Sequence, residues 1–201
     1  MGLPDPARYP RPMPRRLFLF DLPDRFATGT VGEPGSRSFF LQAREGRRVV
    51  SVGLEKAQVA VLAERLGRLL VELDKRGIAE DPPAPITPDE RPLDEPLNEA
   101  FHATTLTLGW DVDAEQILIE ARAPGEDDDE ETEAEDVVEL DDDNEDGPDL
   151  LRVRLSAEAA RTFVERAFRV IRAGRPPCPL CGNPLDAAGH ICPRKNGHYV
   201  N

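Results

Sequence analysis

No apolar run in this chain approaches the roughly 18 residues that a membrane-spanning helix needs, and the first sixteen residues form a proline- and arginine-containing segment without the hydrophobic stretch of a secretory signal. Cysteine is scarce. There are three, an odd number, and all fall within the last 24 of the 201 residues. That argues against a disulfide framework and fits a reducing cytoplasm. The glycine-rich segment Gly29 to Arg37 lacks the Gly-Lys-Ser/Thr ending of a phosphate loop and leads into a strand, so it reads as a hairpin turn. Outside the cysteine tail no Ser/His or Cys/His pair suited to nucleophilic catalysis is evident, and His102 reads as a strand residue. Basic residues are missing from Glu126 to Asp149, where sixteen residues are acidic. This window carries the net charge of −14, because the remainder holds 25 basic and 23 acidic residues. The acidity therefore describes one loop, not the whole surface.

What is present is a repeated pattern. The stretch Val49 to Leu70 reads as a strand followed by an amphipathic helix, and it returns from Leu150 to Ile171 at an offset of 101. Val52 falls on Val153, Leu54 on Leu155, Glu64 on Glu165, Arg65 on Arg166 and Arg68 on Arg169. Upstream, Leu41-Gln42-Ala43-Arg44 lies on Ile119-Glu120-Ala121-Arg122 at an offset of 78. The difference of 23 residues is the acidic window, which thus grows from the turn that Glu45-Gly46-Arg47 occupies in the first half.

The expected fold is α+β: two pseudo-symmetric strand-strand-helix repeats form one antiparallel sheet with both helices on one face, followed by a C-terminal zinc knuckle. In the first half, strands at Leu17 to Phe20 and Ala27 to Val31 precede the hairpin of Ser38 to Arg44 and Arg48 to Leu54. A helix from Glu55 to about Arg76 follows and stops at Gly77. In the second, Phe101 to Trp110 and Gln116 to Arg122 read as a hairpin. They are followed by a strand at Leu150 to Leu155, Ser156 as N-cap and a helix to Arg172. The divisions are a disordered N-terminus at 1–14, a core domain at 15–173 and a tail at 174–201. Within the core, a proline-rich linker at 78–97 separates a first half at 15–77 from a second at 98–173. The acidic loop at 124–149 reads as disordered.

The tail carries the sharpest chemistry. Cys178-Pro-Leu-Cys181-Gly places two thiolates three residues apart with a glycine behind them, and backbone amides can then turn toward the sulfurs. His190 and Cys192, two apart on an extended segment, complete four soft ligands for a structural Zn2+, with His198 as the alternative to His190. Four protein ligands leave no open position for a catalytic water. Two further groups are candidates for ligand binding. Arg44, Arg122, Arg152 and Arg154 belong to the hairpins and could form an exposed basic sheet face for nucleic acid or a protein partner. Asp21, Asp24, Arg25 and Arg37 could line a cleft. The first group points to a non-enzymatic binding or adaptor protein. The second points to an enzyme or enzyme subunit acting on a phosphorylated or thiol metabolite.

Several segments resemble an actinobacterial family of repeat proteins of unknown function. They are Phe20-Asp21-x-Pro23-Asp24-Arg25-Phe26, Gly29-Thr30-Val31-Gly32-x-Pro34-Gly35 and Phe40-Leu41-Gln42-Ala43-Arg44. Leu54-Glu55-Lys56-x-Gln58-Val59 and Ala173-Gly174-Arg175-Pro-Pro-Cys178-Pro-Leu-Cys181-Gly belong with them. The resemblance covers about Met13 to Gly197. It implies an ending similar to Gly189-His190-x-Cys192-Pro193-Arg194-x-Asn196-Gly197, with Tyr more usual where this chain has His198, and so favours His190 as a ligand. It also implies a usual start near Met13 and a genomic association with mycothiol-synthesis and phosphatase-like genes. It carries no activity over.

Overall fold

The computed structural model describes residues 15–33, 35–78, 87–125, 147–174, 178–181, 192 and 194. Strands β1 (Leu17–Asp21), β2 (Arg25–Val31), β3 (Ser38–Glu45) and β4 (Arg48–Leu54) lead into helix α1 (Lys56–Lys75). Strands β5 (Glu99–His102), β6 (Thr105–Asp111), β7 (Gln116–Arg122) and β8 (Leu150–Leu155) lead into α2 (Ala157–Arg172). The fold is mixed α+β with two helices and two four-stranded sheets, ordered β2-β3-β4-β5 and β1-β8-β7-β6. Each sheet has three antiparallel strands and a fourth that runs parallel to its neighbour, β5 beside β4 and β1 beside β8.

Two sheets replace the single antiparallel sheet expected. After β4 the chain crosses back through α1, and a strand reached by such a crossover lies parallel to the one it left. The strand expected from Phe101 to Trp110 is in fact two strands, one in each sheet. The Ala103 N–H donates to the Gly53 carbonyl at 2.9 Å, in the first sheet. The next amide, of Thr104, donates to the Arg122 carbonyl at 2.9 Å, in the second. The chain therefore changes sheets between two adjacent residues. The pairings themselves match both offsets, since Leu41 faces Val52 and Ile119 faces Val153.

Each helix has local reasons to begin and end where it does. At the start of α1 a capping box forms, with the Glu55 amide donating to Gln58 Oε1 at 2.8 Å. At its end Gly77 takes φ +68° and the Ile78 amide returns to the Leu73 carbonyl at 3.0 Å, a left-handed cap that disfavours side chains with a Cβ. Ser156 caps α2 by accepting from the Ala159 amide at 3.2 Å. The helices run antiparallel to each other. Arg161 of α2 pairs with Asp74 near the end of α1, Gly67 lies against Val164, and Lys56 at the start of α1 lies beside Gly174. Their apolar stripes, Val59, Leu62, Leu66 and Leu70 on α1 and Ala160, Phe163 and Ala167 on α2, share one core with both sheets. Neither helix is long and apolar enough to cross a membrane.

Leu41 and Ala43 point into that core, so Gln42 points to the opposite face of the first sheet. It is nevertheless buried, because residues 87–98 cross that face as an extended strap without regular structure. The Gln42 amide group pairs with the strap twice, accepting from the Asp94 amide at 2.7 Å and donating to the Asp94 carbonyl at 3.0 Å. Close approach is possible because position 29 has no side chain. A Cβ on Gly29 would stand 2.6 Å from Leu93 Cγ. Gly29→Ala is expected to destabilise the protein by about 1–3 kcal/mol through this overpacking, and Leu93→Ala in the same chain should recover most of the loss. Urea unfolding of the two single variants and the double variant would show it; additive losses would mean that the strap does not press on Gly29.

Candidate metal centre and the charged groups of the sheets

Beyond α2 the chain brings three thiols together. The Sγ atoms of Cys178, Cys181 and Cys192 lie within 4.8 Å of one another, Cys178 and Cys192 being 4.0 Å apart, and none is in a disulfide. Thiolates at the usual metal–sulfur distance on a tetrahedron stand about 3.8 Å apart, so the spacing fits a shared ion. The Cys178 thiol is drawn below its ordinary pKa by the backbone amides of Cys181 and Leu180, which outweigh the opposing effect of burial. Amides aimed at a sulfur favour its anionic form, the form that binds metal. Arg194 holds the turn from outside by donating to the Leu180 carbonyl at 3.0 Å. These three cysteines could hold a metal ion. His190 and His198, the alternatives for a fourth ligand, lie outside the described residues.

Two members of the cleft group, Arg25 and Asp24, are engaged within the fold. Arg25 is buried, 5% exposed, and turned into the strap. Its guanidinium donates to Asp89 at 2.6 Å, to Asp94 and the Pro92 carbonyl at 3.0 and 2.9 Å, and to the Arg91 carbonyl at 2.9 Å. Asp24 accepts from the Gly46 amide at 2.7 Å, closing the tight turn between β3 and β4, where Gly46 has φ +57°. Asp21 is exposed and Arg37 half-buried.

The arginines assigned to a basic sheet face meet carboxylates. Glu120, fully buried, accepts from Arg152 at 2.7 Å and from Arg122 at 2.8 Å. Arg44 lies 3.7 Å from Asp94 and Arg154 3.9 Å from Asp111. Arg152 is buried and the other three are half-buried, so their charge is directed inward more than toward solvent. Residues 126–146, most of the acidic window, lie outside the described residues.

Two features were not singled out from the sequence. One is Asp89, an anion near the start of the strap. Burial raises its pKa, but hydrogen bonds from Arg91 and Arg25 outweigh that and hold the carboxyl well below the usual range. Arg166 joins it from α2, donating to the Thr28 carbonyl and the Asp89 carbonyl, both at 2.6 Å. The other is an open groove of about 270 Å³ between α1 and β6, lined by Val61, Leu62, Arg65, Leu106 and Leu108.

A family model described as a protein of unknown function (DUF3090) matches residues 18–192, and the chain belongs to that family. No curated protein matches it. No solved structure does either.

A carboxyl with a depressed folded-state pKa contributes stability that is present above its unfolded pKa, near 4, and is lost as pH falls toward the folded value. Asp89→Asn is therefore expected to cost about 3 kcal/mol at pH 7, since it leaves Arg25 buried with only Asp94 opposite, and to flatten the decline of stability below about pH 4. Urea melts of both proteins between pH 7 and 2 would check this. Equal stability at pH 7, or parallel acid profiles, would contradict it.

Proposed function

We propose that this DUF3090 protein is a non-enzymatic binding module whose C-terminal tail is closed around a structural Zn2+. The observation that carries the reading is the thiol cluster, three sulfurs within 4.8 Å of one another with backbone amides directed at Cys178. Thiolate-rich sets suit zinc, and a fourth protein ligand leaves the ion without an open position for substrate. The family resemblance favours His190 for that place. A reducing cytoplasm, where thiols stay available to metal, is the compartment this chemistry suits.

A protein partner is favoured over nucleic acid because the hairpin arginines are already matched by Glu120, Asp94 and Asp111, leaving little free positive charge to displace counterions from phosphates. The enzyme alternative would need Asp21, Asp24, Arg25 and Arg37 to converge on one cleft, and the inward turn of Arg25 speaks against it. The repeat relation of the two halves is part of the same reading, supported by the matching registers of β3 with β4 and of β7 with β8.

Anaerobically purified protein is expected to contain about one zinc per chain. Cys181→Ser should release it while most helical circular dichroism survives, because both helices and their core are complete before Gly174. Protein without stoichiometric metal, or a Cys181→Ser variant that keeps it, would overturn the proposal.

A further inference from the structure

We propose that the groove between α1 and β6 binds an extended, acidic peptide of a partner protein, anchored by an aromatic side chain. This rests on reading the protein as a binding module and is independent of the metal.

In two places a helix lies beside an edge strand, α2 beside β2 and α1 beside β6. At α2 and β2 the space is full. Phe26 of β2 and Phe163 of α2 stack with their ring centroids 4.8 Å apart. Arg166 spans the edge, taking the Thr28 carbonyl of β2 and the Asp89 carbonyl of the strap, with the Asp89 carboxylate 3.7 Å away. The two rings thus fill the space between helix and strand, and the chain's own extended, acidic segment is held just beyond the edge by Arg166.

At α1 and β6 the corresponding positions follow from the two offsets and the strand registers. The helix offset of 101 places Leu62 on Phe163 and Arg65 on Arg166. Strand pairing links Thr28 to Leu41 and Leu108 to Ile119, and Leu41 aligns with Ile119, so Leu108 corresponds to Thr28, Leu106 to Phe26 and Gly109 to Gly29. Two leucines stand where the filled site has two phenylalanines. The smaller side chains leave the groove open, with Val61 exposed on its rim and Arg65 exposed at its side. Among the described residues β6 has β7 as its only strand neighbour, so alternate amides and carbonyls of its other edge point outward. An edge strand beside an apolar groove suits a peptide that adds as a further strand. The missing rings indicate an aromatic anchor. Arg65, by the role of Arg166, indicates an acidic residue to whose carbonyl and carboxylate it would donate.

The test is fluorescence anisotropy with a fluorescein-labelled octapeptide of alternating aspartate and phenylalanine, against one of aspartate and alanine. Saturable binding is expected, with the alanine peptide weaker by about tenfold or more because the buried rings are lost. Leu62→Phe with Leu106→Phe, which rebuilds the stacked pair, should weaken binding similarly. Arg65→Glu should weaken it by about fivefold or more, whereas Arg68→Glu, an equal charge change on an exposed arginine three residues further along the helix, should cost less. Should the double phenylalanine variant not melt cooperatively, Val61→Glu on the exposed rim takes its place. No saturable binding, equal affinity for both peptides, or equal losses from Arg65→Glu and Arg68→Glu would overturn the proposal. So would a dimer in sedimentation velocity that the groove-filling variant makes monomeric, which would give the groove to a second copy. Loss of peptide binding with stoichiometric zinc retained would remove this inference and leave the metal reading intact.

Discussion

One buried guanidinium holds the architecture together. Residues 87–98 have no place in either ladder, yet their backbone groups must be satisfied wherever they cover the sheet. Arg25 meets much of that demand, distributing its donors over two carboxylates and two carbonyls of the strap. Arg166 and Gln42 extend the same solution to either side. An ion cluster of this kind is expensive to desolvate, and it is tolerable because nearly every charge faces an opposite one. It contributes specificity of placement as much as stability: an apolar strap could slide across the sheet, while one bound at fixed carbonyls and carboxylates cannot.

Periodicity made much of the fold readable. Both helices, their caps at Ser156 and Gly77, and the hairpin of β3 and β4 were legible because alternation and the helical stripe are local properties. The division into two sheets was not. Its one mark is slight: the alternation slips by a single residue at Thr104-Thr105, from Phe101 and Ala103 to Leu106, Leu108 and Trp110, with no glycine or proline at the point where the hydrogen bonds of Ala103 and Thr104 change sheets. Parallel pairing of β1 with β8 is equally invisible, because it joins residues more than a hundred positions apart.

The site divides in the same way. The cysteines were legible because their spacing is itself the chemistry. The partners of the charged candidates were not legible, because a sequence shows charge without showing what faces it. Arg25 and Arg152 carry the same residue type as any solvated arginine, and only Asp89 and Glu120 reveal them as buried partners. Gly29 carried information that could be recovered only once Leu93 was seen above it.

The exchange of edge strands bears on how the chain is made. The first sheet is completed by β5, which follows α1, and the second by β1, which is synthesised before everything else in the core. On a ribosome, β1 would emerge early and wait for β8, its only strand neighbour among the described residues, until almost the whole protein had been translated. Its ring at Phe20 meanwhile has the guanidinium of Arg48, 4.3 Å from its centroid in the finished fold, as an available partner from the first hairpin. Arg48 also donates to the Leu19 carbonyl at 2.9 Å. Arg48 over the buried Phe20 ring thus ties β1 to the first hairpin by a link that does not depend on β8.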